Sequence, residues 1–408
     1  MFDQAVYIAL PAMDEIERLP AFMTALMQQT VTNFRLVVCI NQPDEWWGVD
    51  DKIHVCHSNQ QTIRYLRDLN DSRINIIDRS SKGCGWKGKN HGIGWARKVL
   101  MDNIADISEP DDLMVSLDAD TLFGPQYLES LLLNMRECPS SIAVSVPYYH
   151  NLTGGEELDR AILRYEIYMR SYAVNLWRIG SPYSLTALGS AIALPVKSYR
   201  KIGGMTPKLS GEDFYFLQKL TKTGIVVHWN SEKVFPAARL SNRVYFGTGP
   251  ALIRGVKGDW ESYPVYKMNW FNDIAETYKC FEPLFTENVA TPLDDFLVET
   301  FGKLPWEALR VNFRTKKHFV RACHEKIDGL RLLQYLKARQ LAEKNESEKN
   351  LIELIQQDDF QQNVSPGLDL SGFSFSNSPI EMLDRIRNYL EVVEMSYRKR
   401  HFENCRLL

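Results

Sequence analysis

Two acidic motifs have spacings that suit chemistry. Leu113 to Leu117 is a continuous apolar run that ends on Asp118-Ala119-Asp120. Residues two apart on a strand point the same way, so both carboxylates can address one ligand. Paired carboxylates repel, and a hard divalent cation, Mg²⁺ or Mn²⁺, bound with a diphosphate relieves that repulsion. A surface turn or helix cap would use the same residue types, and that reading stays open. The second motif is Gly211-Glu212-Asp213 at the head of a helical pattern. A carboxylate there can act as a general base, or it can simply answer the positive end of the helix.

Two further stretches could meet phosphate. Gly83 to Gly92 is dense in glycine and carries Lys87, Lys89 and Asn90. Glycines let a backbone approach phosphate closely, and lysines neutralise it. The stretch lacks the GK[ST] ending of a P-loop and the GxGxxG of a dinucleotide fold, so it matches neither. Arg239 and Arg243, with Tyr245 and Phe246, precede Gly247-Thr248-Gly249. Arginine offers paired N–H donors to phosphate oxygens, and a solvated loop is the alternative. His228 lies in an apolar run, either as a core histidine or as a metal ligand.

The elements that must position these residues alternate. Apolar runs at Val6–Leu10, Phe34–Ile40, Ile74–Ile77, Leu113–Leu117 and Ile142–Val146 read as strands buried on both faces. Helical periodicity falls between them, opening at Asp14-Glu15 in the first case. That alternation predicts a doubly wound, mostly parallel α/β sheet, whose ligands bind at the carboxyl ends of the strands. From about Trp260, aromatics, charges and helical spacing dominate, as over 321–344 and 380–400. The expected organisation is an α/β domain over 1–255, divided at 125/126, and a helical region over 256–408.

The 408 residues carry 48 Lys and Arg against 51 Asp and Glu, a near-balance that argues against a dedicated nucleic-acid binder. The 45% hydrophobic content excludes global disorder. The 7 cysteines are widely spaced, without a CxxC pair, and fit a reducing cytoplasm. The N-terminus reads as a buried strand and not as a signal peptide. No stretch is long and apolar enough to span a bilayer, which leaves contact with a membrane's inner face as the remaining membrane option.

Taken in order, these pieces resemble the family 2 glycosyltransferases with the GT-A nucleotide-sugar fold, from about Val6 to Gly249. The resemblance is carried by VYIALPAMDE at the first strand, LVVCINQ at the second, KGKNHGIGWA, LDAD, GSAIALPVKSYRKIGG and GED. It implies that Asp120 and Asp118 bind a divalent metal and the donor diphosphate. Asp213 would be the base that deprotonates an acceptor hydroxyl, with Glu212 beside it. Pro11, Ala12 and Asp14 would line the nucleoside pocket, and Lys89 and Asn90 would lie near the sugar nucleotide. Asn41 falls near a position where the family usually carries a base-reading Asp. Arg243 would approach the diphosphate, although the family's QxxRW motif is absent.

The implied reaction is an inverting, metal-dependent transfer from a nucleotide-sugar to a hydroxyl-bearing glycan or lipid-linked acceptor. A sugar-phosphate nucleotidyltransferase would need a glycine-rich basic signature after the first strand, where this chain has Pro11, Met13 and acids. A non-catalytic sugar-binding scaffold is the rival from another class.

Overall fold

The computed structural model describes residues 3–186, 188–240, 247–357 and 368–407. The strands are β1 (Val6–Ala12), β2 (Phe34–Asn41), β3 (Ile74–Arg79), β4 (Leu113–Ser116), β5 (Thr121–Phe123), β6 (Ser141–Ser145), β7 (Ile192–Pro195), β8 (Ile225–Val227) and β9 (Val234–Pro236). Among them run α1 (Leu19–Met27), α2 (Ile53–Asp68), α3 (Ile93–Ile107), α4 (Tyr127–Glu137), α5 (Glu156–Arg178), α6 (Val196–Lys201) and α7 (Glu212–Thr223), with α8 (Thr248–Val256) after β9.

Seven strands form one sheet in the order β3-β2-β1-β4-β7-β6-β8, and β5 pairs with β9 in a small second sheet. Within the large sheet β7 runs antiparallel to β4 and β6, and the remaining pairings are parallel. The expected mostly parallel α/β architecture is what the chain adopts. β1 and β4 are buried along their whole length, as their continuous apolar runs require.

The chain builds β1, β2 and β3 toward one edge, then returns to lay β4 on the other side of β1. Strand order therefore reverses between β1 and β4. Loops leaving these two strands part in opposite directions, and the crevice between them is where such sheets take ligands. Asp118 and Asp120 follow β4 directly, and Glu15 follows β1.

The first helix departs from expectation. It begins at Leu19, not at Asp14-Glu15. Asp14 takes a left-handed φ of 58°, which interrupts a right-handed helix. Pro20 then sits in the first turn, where its missing N–H costs nothing.

The chain forms two compact units. One comprises Met1–Ile162, Thr186–Lys257 and Arg398–Leu408; the other comprises Leu163–Leu185 and Gly258–Tyr397. One division falls at Lys257/Gly258. The expected organisation did not include the exchanged segments: the division also cuts α5 and the long helix Ile380–Arg406. No change of composition marks those two points.

The final segment belongs to the sheet-bearing unit through specific contacts. Arg398 donates to the His228 carbonyl at 2.8 Å, and Phe402 lies on Trp229 with ring centroids 4.7 Å apart.

The second unit is helical and has its own core, including Trp270, Phe271, Phe281, Phe319 and Leu336. A buried ion network joins Arg170 to Glu166 and Glu394 at 2.6 and 2.8 Å. Trp270 and Trp306 are 1% and 3% exposed and pack within this core. Trp260 is covered by the Arg164 guanidinium at 4.6 Å. The helical stretch expected over 321–344 is two helices, because the Asp328 carboxylate accepts from the Arg331 N–H and starts a new one. Among the described residues no helix is long and apolar enough to cross a membrane.

Candidate functional site

Arg97 organises the site. On α3 it shares the inward face with Ala96, Leu100, Met101 and Ile104, and its side chain is 3% exposed. A guanidinium cannot lose its charge, so burial there demands carboxylates and carbonyls. Its Nη2 meets Asp118 Oδ1 at 2.6 Å, and its Nε meets Glu212 Oε1 at 3.0 Å. Its Nη1 donates to Ser116 Oγ at 2.6 Å and to the Gly189 carbonyl at 3.0 Å. One side chain thus ties the end of β4, the segment before β7 and the first turn of α7 together.

Gly189 is a glycine for a steric reason. A Cβ on it would lie 2.1 Å from Arg97 Nη2. That contact is far inside van der Waals distance, so any side chain there displaces the guanidinium.

A second arginine holds the neighbouring acids. Arg239 Nη2 meets Glu15 Oε1 and Asp120 Oδ2, each at 2.6 Å, and its Nη1 meets Glu15 Oε2 at 3.1 Å. Glu15 is engaged by two nitrogens, Asp120 by one. The Arg239 side chain keeps 22% of its surface exposed, where Arg97 is sealed.

The two acidic motifs lie in one electrostatic field. Burial first, and then the Asp120 charge, holds Glu15 well above the usual carboxylate range, against the pull of Arg239. Asp120 is raised by burial and by Asp118, with Arg239 opposing. Asp213 is raised by burial, then by Glu212, with Asp118 adding to the effect and Arg97 opposing it. Asp118 therefore acts on Glu15 and Asp120 on one side and on Asp213 on the other. Burial disfavours the Arg97 charge, but Asp118 and Glu212 outweigh it and keep the group firmly protonated.

Around this cluster the other expected residues fall as follows. Pro11 and Ala12 are buried at the end of β1, and the Asp14 N–H donates to Asn59 Oδ1 at 2.9 Å. Asn41 is buried and uses both ends of its amide. It donates to the Ala12 carbonyl at 3.1 Å and accepts from the Trp86 indole N–H at 3.1 Å. Asn41 thereby braces the end of β1 against the glycine-rich loop. Lys89 and Asn90 stand exposed on that loop, ahead of α3. The loop itself is pinned by the Asp44 carboxylate, which accepts from the N–H groups of Gly83 and Gly85. Arg243 lies outside the described residues.

His228, for which a core histidine and a metal ligand were both open, is buried at 3% exposure. It follows β8, the edge strand, three strand spacings from β4 in the sheet order. At about 4.8 Å per spacing that is roughly 14 Å, too far to share an ion with Asp118 or Asp120. Its ring faces His401 with centroids 5.6 Å apart, and burial holds its pKa well below the ordinary value.

Among the described residues no group of three or more His, Cys, Asp or Glu side chains could hold a metal ion. The donor set still suits a hard cation. Asp118 and Asp120 present carboxylate oxygens at the end of β4, each against one guanidinium, Arg97 and Arg239 respectively. Carboxylate oxygens with phosphate oxygens and water are what Mg²⁺ prefers.

Sequence reasoning missed Arg97, and it read Glu15 only as part of a helix start. The signal for Arg97 was present: a single cation on an otherwise apolar helical stripe.

No family model matches the chain, and no curated protein matches it in sequence. Solved structures with a related trace include S. aureus TarS 1-349 in complex with UDP-GlcNAc, at 10% identity and a TM-score of 0.39, covering 97% of this chain and 92% of that one. Another is the mannosyltransferase PcManGT from Pyrobaculum calidifontis in complex with GDP-Man and Mn²⁺, at 13% identity and TM-score 0.37, covering 80% and 88%. A third is glucosyl-3-phosphoglycerate synthase from Mycobacterium tuberculosis in complex with phosphoglyceric acid, at 14% and 0.31, covering 63% and 81%. At such identities the functional reading rests on the side chains themselves.

Proposed function

We propose that the chain is a GT-A-type glycosyltransferase of the family 2 kind. It would transfer a sugar from a nucleotide-sugar to a hydroxyl of a glycan or lipid-linked acceptor, with inversion. One observation carries this reading. Arg97 joins Asp118 to Glu212, so the Asp-Ala-Asp and Gly-Glu-Asp motifs form a single acidic site beside the strand-order reversal.

The chemistry follows from what such a site lacks and holds. A nucleotide-sugar already carries its leaving group, so the demand is to stabilise charge on the departing diphosphate and to remove the acceptor proton. A divalent cation held by Asp118 and Asp120 would supply Lewis-acid stabilisation of the diphosphate. Asp213 takes the proton of the attacking hydroxyl as the new C–O bond forms and the bond to the diphosphate breaks. Its raised pKa makes it a stronger base than an exposed aspartate. Glu212, locked to Arg97, fixes the helix turn on which Asp213 stands. A single displacement by a hydroxyl opposite the leaving group inverts the anomeric carbon.

The test is release of nucleoside diphosphate from UDP-, GDP- and dTDP-sugars with Mn²⁺ and hydroxyl acceptors. Turnover with one donor, lost in Asp213→Asn, supports the reading. Nucleotide binding without turnover under any donor and acceptor would leave a binding module in its place.

A further inference from the structure

The Glu15–Arg239–Asp120 bridge is not explained by the reaction just described. Asp120 is assigned there to a cation, yet its Oδ2 is held at 2.6 Å by a guanidinium. Among the described residues the same guanidinium has two other contacts, both to Glu15, so it can release Asp120 and remain tethered. Its side chain is 22% exposed, where that of Arg97 is 3%. Planar paired N–H donors match phosphate oxygens as well as they match carboxylates.

We propose that Arg239 is an exchangeable diphosphate-binding residue: it caps Asp120 while the donor is absent, and moves its Asp120-facing N–H to the donor's diphosphate when that arrives, which frees Asp120 for the cation. This rests on the nucleotide-sugar reading above and adds to it an order of events. The cation binds poorly alone, because Arg239 occupies its ligand and adds like charge. The diphosphate removes both obstacles, so each ligand tightens the other by the same factor. Glu15 is the positioning residue that keeps Arg239 in the crevice throughout the exchange. No bond is made or broken beyond hydrogen bonds and ion pairs.

The consequence is a pair of shifts of opposite sign. In Arg239→Gln, Mn²⁺ alone, followed by the EPR signal of the free ion, should bind at least tenfold more tightly than in the wild-type chain. UDP and GDP without metal, followed by calorimetry, should bind at least tenfold more weakly for whichever nucleotide the wild type prefers. Arg239→Lys, which keeps the charge but loses the planar fork, should restore weak Mn²⁺ binding and only part of the nucleotide affinity. If both ligands weaken together in Arg239→Gln, the arginine is a structural brace and the exchange is wrong. Unchanged affinities overturn it as well. A wild-type chain that binds neither UDP nor GDP, with or without Mn²⁺, removes the nucleotide reading itself, and the exchange goes with it.

Discussion

Arg97 Nε lies 3.0 Å from Glu212 Oε1, a contact between residues 115 positions apart, both shut away from solvent. Glu212 is half of an acidic pair at a helix start, and such a pair alone would be a cap. The contact makes it part of a site, because the same guanidinium also grips Asp118.

Removing that guanidinium should be severe. Arg97→Met leaves Glu212 buried without a partner, and breaking a buried pair from one side costs about 3–5 kcal/mol. Arg97→Met with Glu212→Met should recover a substantial part of this, since neither charge is then stranded. Urea denaturation of the three chains measures both effects. A double variant no more stable than Arg97→Met alone would mean that the two charges are not coupled.

Gly189→Ala tests the same guanidinium sterically. The added Cβ lies 2.1 Å from Arg97 Nη2, so the arginine must leave its place or the backbone must shift. The expected cost is about 1–3 kcal/mol in stability, as for other overpacked sites, together with loss of turnover. Full activity and an unchanged melting temperature would contradict the geometry.

Asp213→Asn should lower kcat by about 10²–10⁴, the usual contribution of a positioned general base. Nucleotide binding should persist, because Asp213 is assigned to the acceptor side. The measurement is kcat against the thermal shift produced by the nucleotide; loss of both would place Asp213 in the donor site instead.

The pH dependence has a definite sign. Asp213 is raised above the ordinary aspartate value, so the folded chain keeps a proton that the unfolded chain releases at lower pH. Stability from this group is therefore greatest below the ordinary aspartate pKa and declines as pH rises toward the raised value. Activity moves the other way, since a base must be unprotonated, and kcat/KM should climb over the range in which stability falls. Asp213→Asn should flatten that part of the stability profile. An acid limb of kcat/KM at the pKa of an ordinary exposed aspartate would mean that burial does not tune this base.

The sequence by itself determined the strands and the acids at their ends. Continuous apolar runs leave a strand few alternatives to burial on both faces, and β1, β2 and β4 lie where Val6–Leu10, Phe34–Ile40 and Leu113–Leu117 indicate. The placement of Asp118, Asp120, Glu212 and Asp213 at element ends was legible for the same reason, since polarity switches abruptly there. The partners of those acids were not legible. Arg97 reads locally as one charge on a helix and Glu15 as one acid before another helix, because ion pairs across the fold leave no mark in local periodicity. Strand order decided which acids met. With β4 beside β1, Glu15 and Asp120 share Arg239, and with β8 at the far edge, His228 is excluded from them. The exchange of 163–185 and 398–408 between the two units was likewise hidden, because a helix that changes units keeps its own periodicity while its packing partners change.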